Sequence, residues 1–146
     1  MARTVSELLG NKNVEVWTIA PEASVYDAVA TMADRQIGAL VVIEDDKVAG
    51  IITERDYARK VILKDRSSKL TPVREIMTDK VLYVRPEQSI EECMALMTEK
   101  RIRHLPVLNG DKLMGMISIG DLVKELISDK DFIIEQLTRY ISGSAY

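Results

Sequence analysis

A hydroxyl and a carboxylate stand three residues apart at two places in the chain, Thr53-Glu54-Arg55-Asp56 and Ser118-Ile119-Gly120-Asp121. An ionised carboxylate only accepts hydrogen bonds, whereas a hydroxyl donates and accepts, so each pair can read polar groups on a ligand. Taken singly, Asp56 and Asp121 read more simply as residues at the start of a helix. Bond-breaking chemistry has less to work with. His104 is the single histidine, which rules out a histidine-rich metal site or a His–His acid–base pair. Cys93 is the single cysteine, so no internal disulfide can form. No nucleophile beside a base, metal cluster or phosphate-cradling glycine loop stands out, and the chain reads as non-enzymatic.

What lifts the two pairs above chance is that the chain is written twice. Residues 16–62 align without a gap on residues 81–127. Pro21, Glu22 and Ser24 fall on Pro86, Glu87 and Ser89; Leu40 and Val42 fall on Leu105 and Val107. Gly50, Ile52 and Asp56 fall on Gly115, Ile117 and Asp121, with Thr53 on Ser118. The cations do not repeat. Arg55 stands where the second copy has Gly120, and Arg103-His104 where the first has Gly38-Ala39.

Each copy predicts one series of elements. An extended lead, Val16–Ile19 or Val81–Val84, ends at a proline turn. Ser24 and Ser89 cap a helix, with Asp27 and Glu92 placed to complete a capping box. Apolar residues then recur at helical spacing: Val25, Ala28, Val29 and Met32, and Ile90, Cys93, Met94 and Met97. Cys93 therefore reads as core and not as a nucleophile. Two short strands follow, Leu40–Ile43 and Val48–Thr53, then Leu105–Leu108 and Leu113–Ser118, joined by polar turns. A second helix begins near Asp56 or Asp121. Additional helices are expected around Val5–Leu9 and Phe132–Ile141, the latter with a stripe of Ile133, Leu137, Tyr140 and Ile141 suited to closing the fold or meeting a second subunit. The polar stretch from Lys64 to Lys80 reads as the connection. The organisation expected is residues 1–66, a first repeat with an N-terminal helix, and residues 67–146, a linker, second repeat and C-terminal helix.

Composition bounds the class. Of 146 residues, 47% are hydrophobic and 5% aromatic, so the core rests on aliphatic side chains and Met. A net charge of −3 argues against a general electrostatic grip on nucleic acid. No apolar run approaches the roughly 18 residues that suggest a membrane span. No signal peptide is apparent at the start, and a cytoplasmic location is expected.

The phrases Gly50-Ile-Ile-Thr-Glu-Arg-Asp56 and Gly115-Met-Ile-Ser-Ile-Gly-Asp121 resemble the closing signature of the cystathionine-β-synthase (CBS) domain. Ile37-Gly-Ala-Leu-Val-Val and Ile102-Arg-His-Leu-Pro-Val resemble the head of its strand pair. The likeness is to stand-alone bacterial CBS-pair proteins and plant organellar relatives. It implies an α/β fold of two pseudo-symmetric β-α-β-β-α repeats packed through their sheets, with extra N- and C-terminal helices, often as a homodimer. It also implies an adenosine-containing regulatory ligand: AMP, ADP, ATP, NAD(H) or S-adenosylmethionine. No catalytic cofactor is expected.

Carried over residue by residue, the resemblance implies two unequal sites. One combines Thr53, Arg55 and Asp56 with Leu82, Tyr83, Arg103, His104 and Leu105. The other combines Ser118, Gly120 and Asp121 with Thr18, Ile19, Gly38, Ala39 and Leu40. The carboxylates would accept from ribose hydroxyls, and arginine offers phosphate a planar, bidentate donor. The first site is expected to hold the phosphate-bearing nucleotide more tightly. The function implied is an energy or redox-state sensor read by a protein partner, thioredoxin-like by analogy with the plant relatives. The alternative is a constitutive interaction module whose clefts are degenerate or empty.

Overall fold

The computed structural model describes residues 4–10, 16–127 and 130–142, and side chains at all of these except 130–133 and 142. The helices are α1 (Val5–Gly10), α2 (Val25–Arg35), α3 (Glu54–Lys60), α4 (Ile90–Lys100), α5 (Ile119–Ile127) and α6 (Lys130–Ser142). The strands are β1 (Thr18–Ile19), β2 (Ala39–Glu44), β3 (Lys47–Thr53), β4 (His104–Asn109) and β5 (Lys112–Ser118). The α/β class and the repeated order of elements agree with the sequence reading. The chain divides into two compact units, Glu15–Leu82 with Gly110–Leu113, and Met1–Val14 with Tyr83–Asn109 and Met114–Tyr146. They are called here the first-repeat and second-repeat units.

In the first-repeat unit, β1 pairs parallel with β2, and β2 pairs antiparallel with β3. Asp45 and Asp46 turn the β2–β3 hairpin with φ of 52° and 62°. Such left-handed pairs match the twist of the strands they join. Helix α2 crosses from β1 to β2. Its Ser24 hydroxyl accepts from the Asp27 amide at 3.0 Å, and Gln36 ends it in the left-handed region. Val25, Ala28 and Met32 turn inward against Leu40, Val42 and Ile52, as the stripe predicts.

The second-repeat unit repeats this plan with a weaker first strand. The expected lead Val81–Val84 is reduced to one parallel bridge between Val84 and Val107, beside the β4–β5 pair. Ser89 caps α4 by accepting from the Glu92 amide at 3.0 Å. Ile90, Cys93 and Met97 join Leu105, Val107, Ile117 and Leu122 in one core. Of the expected stripe on α6, Leu137, Tyr140 and Ile141 are exposed, as is Ile134 outside it; the side chains of Phe132 and Ile133 lie outside the described residues.

Packing does not follow the grouping into 1–66 and 67–146. Helix α1 buries Val5 and Leu8 in the core of the second-repeat unit, and its Val5 amide donates to the Gln88 carbonyl at 2.9 Å. The linker instead buries Val73 and Ile76 in the first-repeat core, and the Val73 amide donates to the Ala23 carbonyl at 2.8 Å. Ala23 and Gln88 are equivalent positions of the repeat, so the two segments do the same work. Each supplies apolar side chains to a core that about 50 residues alone leave thin. The polar residues of the linker hid this, because its two buried aliphatics are spaced too sparsely to read as an element.

A Cβ on Gly50 would lie 2.8 Å from both the Met77 sulfur and the Thr78 carbonyl oxygen. The thioether can swing aside, but the carbonyl is fixed by its bond from the Ile51 amide. Gly50→Ala should therefore destabilise the protein by about 1–3 kcal/mol in chemical denaturation, with unchanged stability counting against this account of the linker. Burial, assisted by Glu92 and Glu91, raises the Cys93 thiol from 9.0 to about 11. The folded state thus favours the neutral thiol, a contribution complete below the unfolded value and lost as pH rises through about 11. Iodoacetamide at pH 8 should label Cys93 quickly only after denaturation, and equal rates in native protein would contradict its burial.

Candidate functional site

The end of β3 and the start of α3 are locked by a reciprocal pair of hydrogen bonds. Asp56 donates its amide to the Thr53 hydroxyl at 3.1 Å, while the Thr53 amide donates to Asp56 Oδ2 at 3.0 Å. The Thr53 hydroxyl also donates to Oδ2, at 3.1 Å. This capping box satisfies amides that a helix start leaves open. The second copy makes the same closure. Asp121 donates its amide to the Ser118 hydroxyl at 3.2 Å, and the Ser118 amide donates to Asp121 Oδ2 at 2.8 Å. The hydroxyl–x–x–carboxylate spacing is thus a cap in both copies. That local role leaves Asp56 Oδ1 pointing away from the box.

Asp56 is 8% exposed, unusual for a carboxylate. Its Oδ1 lies 3.1 Å from Lys60 Nζ, one helical turn on. Lys60 also donates to the Ile76 carbonyl at 2.8 Å. The motif reading did not include Lys60, although an Asp four residues before a Lys on a helix is a legible pairing signal. In the second copy its place is taken by Glu125, which cannot act as that cation.

The strand starts gather beside each box. In the first-repeat unit Ala39 pairs with Thr53 and Leu40 with Ile52, and the Glu54 amide donates to the Gly38 carbonyl at 3.1 Å. Thr18 and Ile19 line the other side of β2, opposite Val41 and Val42. Leu40 turns its side chain into the first-repeat core and Ala39 is buried on the opposite face of β2, so what these positions expose is backbone. Gly38 is half-buried and Arg55 is exposed. Leu82, at the end of this unit, is 42% exposed.

In the second-repeat unit the Ile119 amide donates to the Arg103 carbonyl at 2.9 Å, matching the Glu54–Gly38 bond. Arg103 is exposed, His104 half-buried, and Leu105 belongs to the core. Tyr83 is exposed, with the Arg85 guanidinium 5.7 Å from its ring centre. Gly120 is exposed, and a Cβ there would meet only the Ser118 hydroxyl, at 3.6 Å. The structure thus brings Thr53, Asp56, Gly38, Ala39 and Leu40 together in one unit, and Ser118, Asp121, Arg103, His104 and Leu105 in the other. Within each unit the strand start lies beside its own box.

Among the described residues, no group of three or more His, Cys, Asp or Glu side chains could hold a metal. No helix among them is long and apolar enough to cross a membrane. Each ledge combines a carboxylate, a hydroxyl and strand-start backbone, with cations nearby in sequence. That is hydrogen-bonding equipment for a polar ligand.

Comparison with known proteins agrees with the repeat. The family model of the CBS domain matches residues 5–63 and again 73–128. The mitochondrial CBS domain-containing protein CBSX3 of Arabidopsis thaliana is 41% identical over 150 residues, covering 96% of this chain and 72% of that protein. A CBS-domain protein from Burkholderia ambifaria MC40-6 superposes with a TM-score of 0.83 at 59% identity, over 86% of this chain and 95% of that one. The structure of CBSX2 in complex with AMP has the same fold, with a TM-score of 0.74 at 24% identity over 88% of this chain and 99% of that one. With two matches in register and a fold to agree, the chain belongs to the CBS domain family and carries the domain twice.

Proposed function

We propose that this CBS pair is a non-catalytic regulatory module that binds an adenosine-containing ligand, with AMP, ATP and NAD(H) as the leading candidates, and reports it as an energy or redox-state signal. The observation that carries the reading is the buried Asp56 carboxylate, whose Oδ2 is held by its box and whose Oδ1 faces Lys60, in a box whose Thr53 pairs with Ala39 at the strand start. A carboxylate of that kind suits ribose hydroxyls, because its box sets its orientation before any ligand arrives. The AMP complex of CBSX2, a structural neighbour, makes AMP the first ligand to try.

Arg55, Arg103 and His104 are the phosphate-facing groups in this proposal. Thr53 and Ser118 contribute hydroxyls; Asp121 is the weaker ribose acceptor. Thr18, Ile19, Leu82 and Tyr83 contribute the surface around adenine, with Gly38, Ala39, Gly120, Leu40 and Leu105 supplying backbone groups. The second reading, a constitutive protein-interaction module, draws on one observation: both boxes are closed through their own residues. The proposed site of action is the cytoplasm, and the partner that reads the signal is a protein, thioredoxin-like by analogy alone.

Calorimetric titration with AMP, ATP, NAD, NADH and S-adenosylmethionine tests the reading. Micromolar binding of at least one is expected, weakened tenfold or more by Asp56→Ala, a loss of about 1.4 kcal/mol or greater. Arg55→Ala should also weaken it, and Asp121→Ala less. No binding by any of the five would favour the interaction module, and equal losses from Asp56→Ala and Asp121→Ala would remove the asymmetry. We further propose a homodimer that covers the exposed Ile134, Leu137 and Ile141 of α6. Light scattering should give twice the chain mass of 16.4 kDa, falling towards one with Leu137→Glu; a monomer, or a wild-type assembly untouched by that change, would contradict it.

A further inference from the structure

The Asp56 carboxylate has about four acceptor directions, and three are in use. Oδ2 accepts from the Thr53 amide and the Thr53 hydroxyl, and Oδ1 faces Lys60 Nζ at 3.1 Å. A ribose offers two neighbouring hydroxyls. Full recognition of both therefore takes the remaining direction and competes with Lys60 for its place on Oδ1.

Lys60 is not an idle competitor. Its ammonium also donates to the Ile76 carbonyl at 2.8 Å, in the linker segment whose Val73 and Ile76 fill the first-repeat core. That segment is stitched on by backbone bonds from Val73 to Ala23 and, in both directions, between Thr78 and Ile51. One side chain thus joins the proposed ribose acceptor to the backbone connecting the repeats. The second copy has Glu125 at this position, a carboxylate that cannot donate when ionised, so the lysine is not repeated.

We infer that Lys60 is a positioning residue that shares Asp56 Oδ1 with the ribose hydroxyls, so that ligand at the first-repeat box alters how firmly the linker around Ile76 is held. The inference rests on the nucleotide reading above and adds to it the route by which binding is felt outside the site. A ligand can shift the linker only by interacting differently with its two states, and competition for one oxygen supplies that difference.

Amide hydrogen exchange on the full chain, with and without AMP, tests it. In wild-type protein, saturating AMP should speed exchange at residues 76–78 several-fold. Lys60→Met should speed the same amides about tenfold without ligand, as expected for losing a charge-assisted hydrogen bond. AMP should then bind Lys60→Met but leave those amides where they are, while Lys60→Arg should restore the ligand response. AMP bound to wild-type protein with residues 76–78 unmoved would overturn this inference and leave the nucleotide reading intact. Failure of wild-type protein to bind AMP or any other adenosine ligand would overturn both. A Lys60→Met protein whose linker still responds to AMP would show that the signal travels by another route.

Discussion

A helix that begins directly at the end of a strand has open amides and no room for a long turn. Here the chain meets that constraint with a hydroxyl and a carboxylate three residues apart, each closing on the other's backbone. Thr53–Asp56 and Ser118–Asp121 do this at equivalent positions, and caps of this kind contribute roughly 1 kcal/mol apiece. The closure fixes where α3 and α5 leave their sheets. It also fixes the carboxylate orientation, so the groups that make the fold possible are the groups proposed to meet a ligand.

Around these boxes the cores are small and aliphatic, and neither is completed by one contiguous stretch of its repeat. Val73 and Ile76 from the linker and Val5 and Leu8 from α1 fill equivalent places. Gly50 shows how close the fit is, since the linker backbone lies against it with no room for a side chain. A connection that forms part of the core cannot move as an independent tether. Any displacement of the linker is felt by β3, and through Lys60 by Asp56.

Much of this was legible before the structure. The ungapped repeat gave the element order, Ser24 and Ser89 marked helix starts, and stripes such as Val25-Ala28-Met32 marked the buried face. The hydroxyl–carboxylate spacing was visible too, although its role as a complete box appeared only with the backbone in place. The linker's role was hidden because contact across distant sequence leaves no periodic trace. The second lead strand was overestimated: Leu82 and Tyr83 have strand-forming side chains, yet only Val84 finds a pairing partner in β4. Leu40 and Leu105, candidates for a ligand surface by position, are core residues, because strand alternation turns them inward.

The central claim is that Asp56 reads ribose hydroxyls, and removing those hydroxyls from the ligand tests it without altering the protein. Calorimetric titration should compare AMP with its 2′,3′-dideoxy analogue, which keeps adenine and phosphate. Hydrogen bonds to a charged acceptor contribute about 1.5–3 kcal/mol, so the account predicts roughly 10- to 100-fold weaker binding of the analogue. Equal affinity for the two would mean that Asp56 is a helix cap and nothing more.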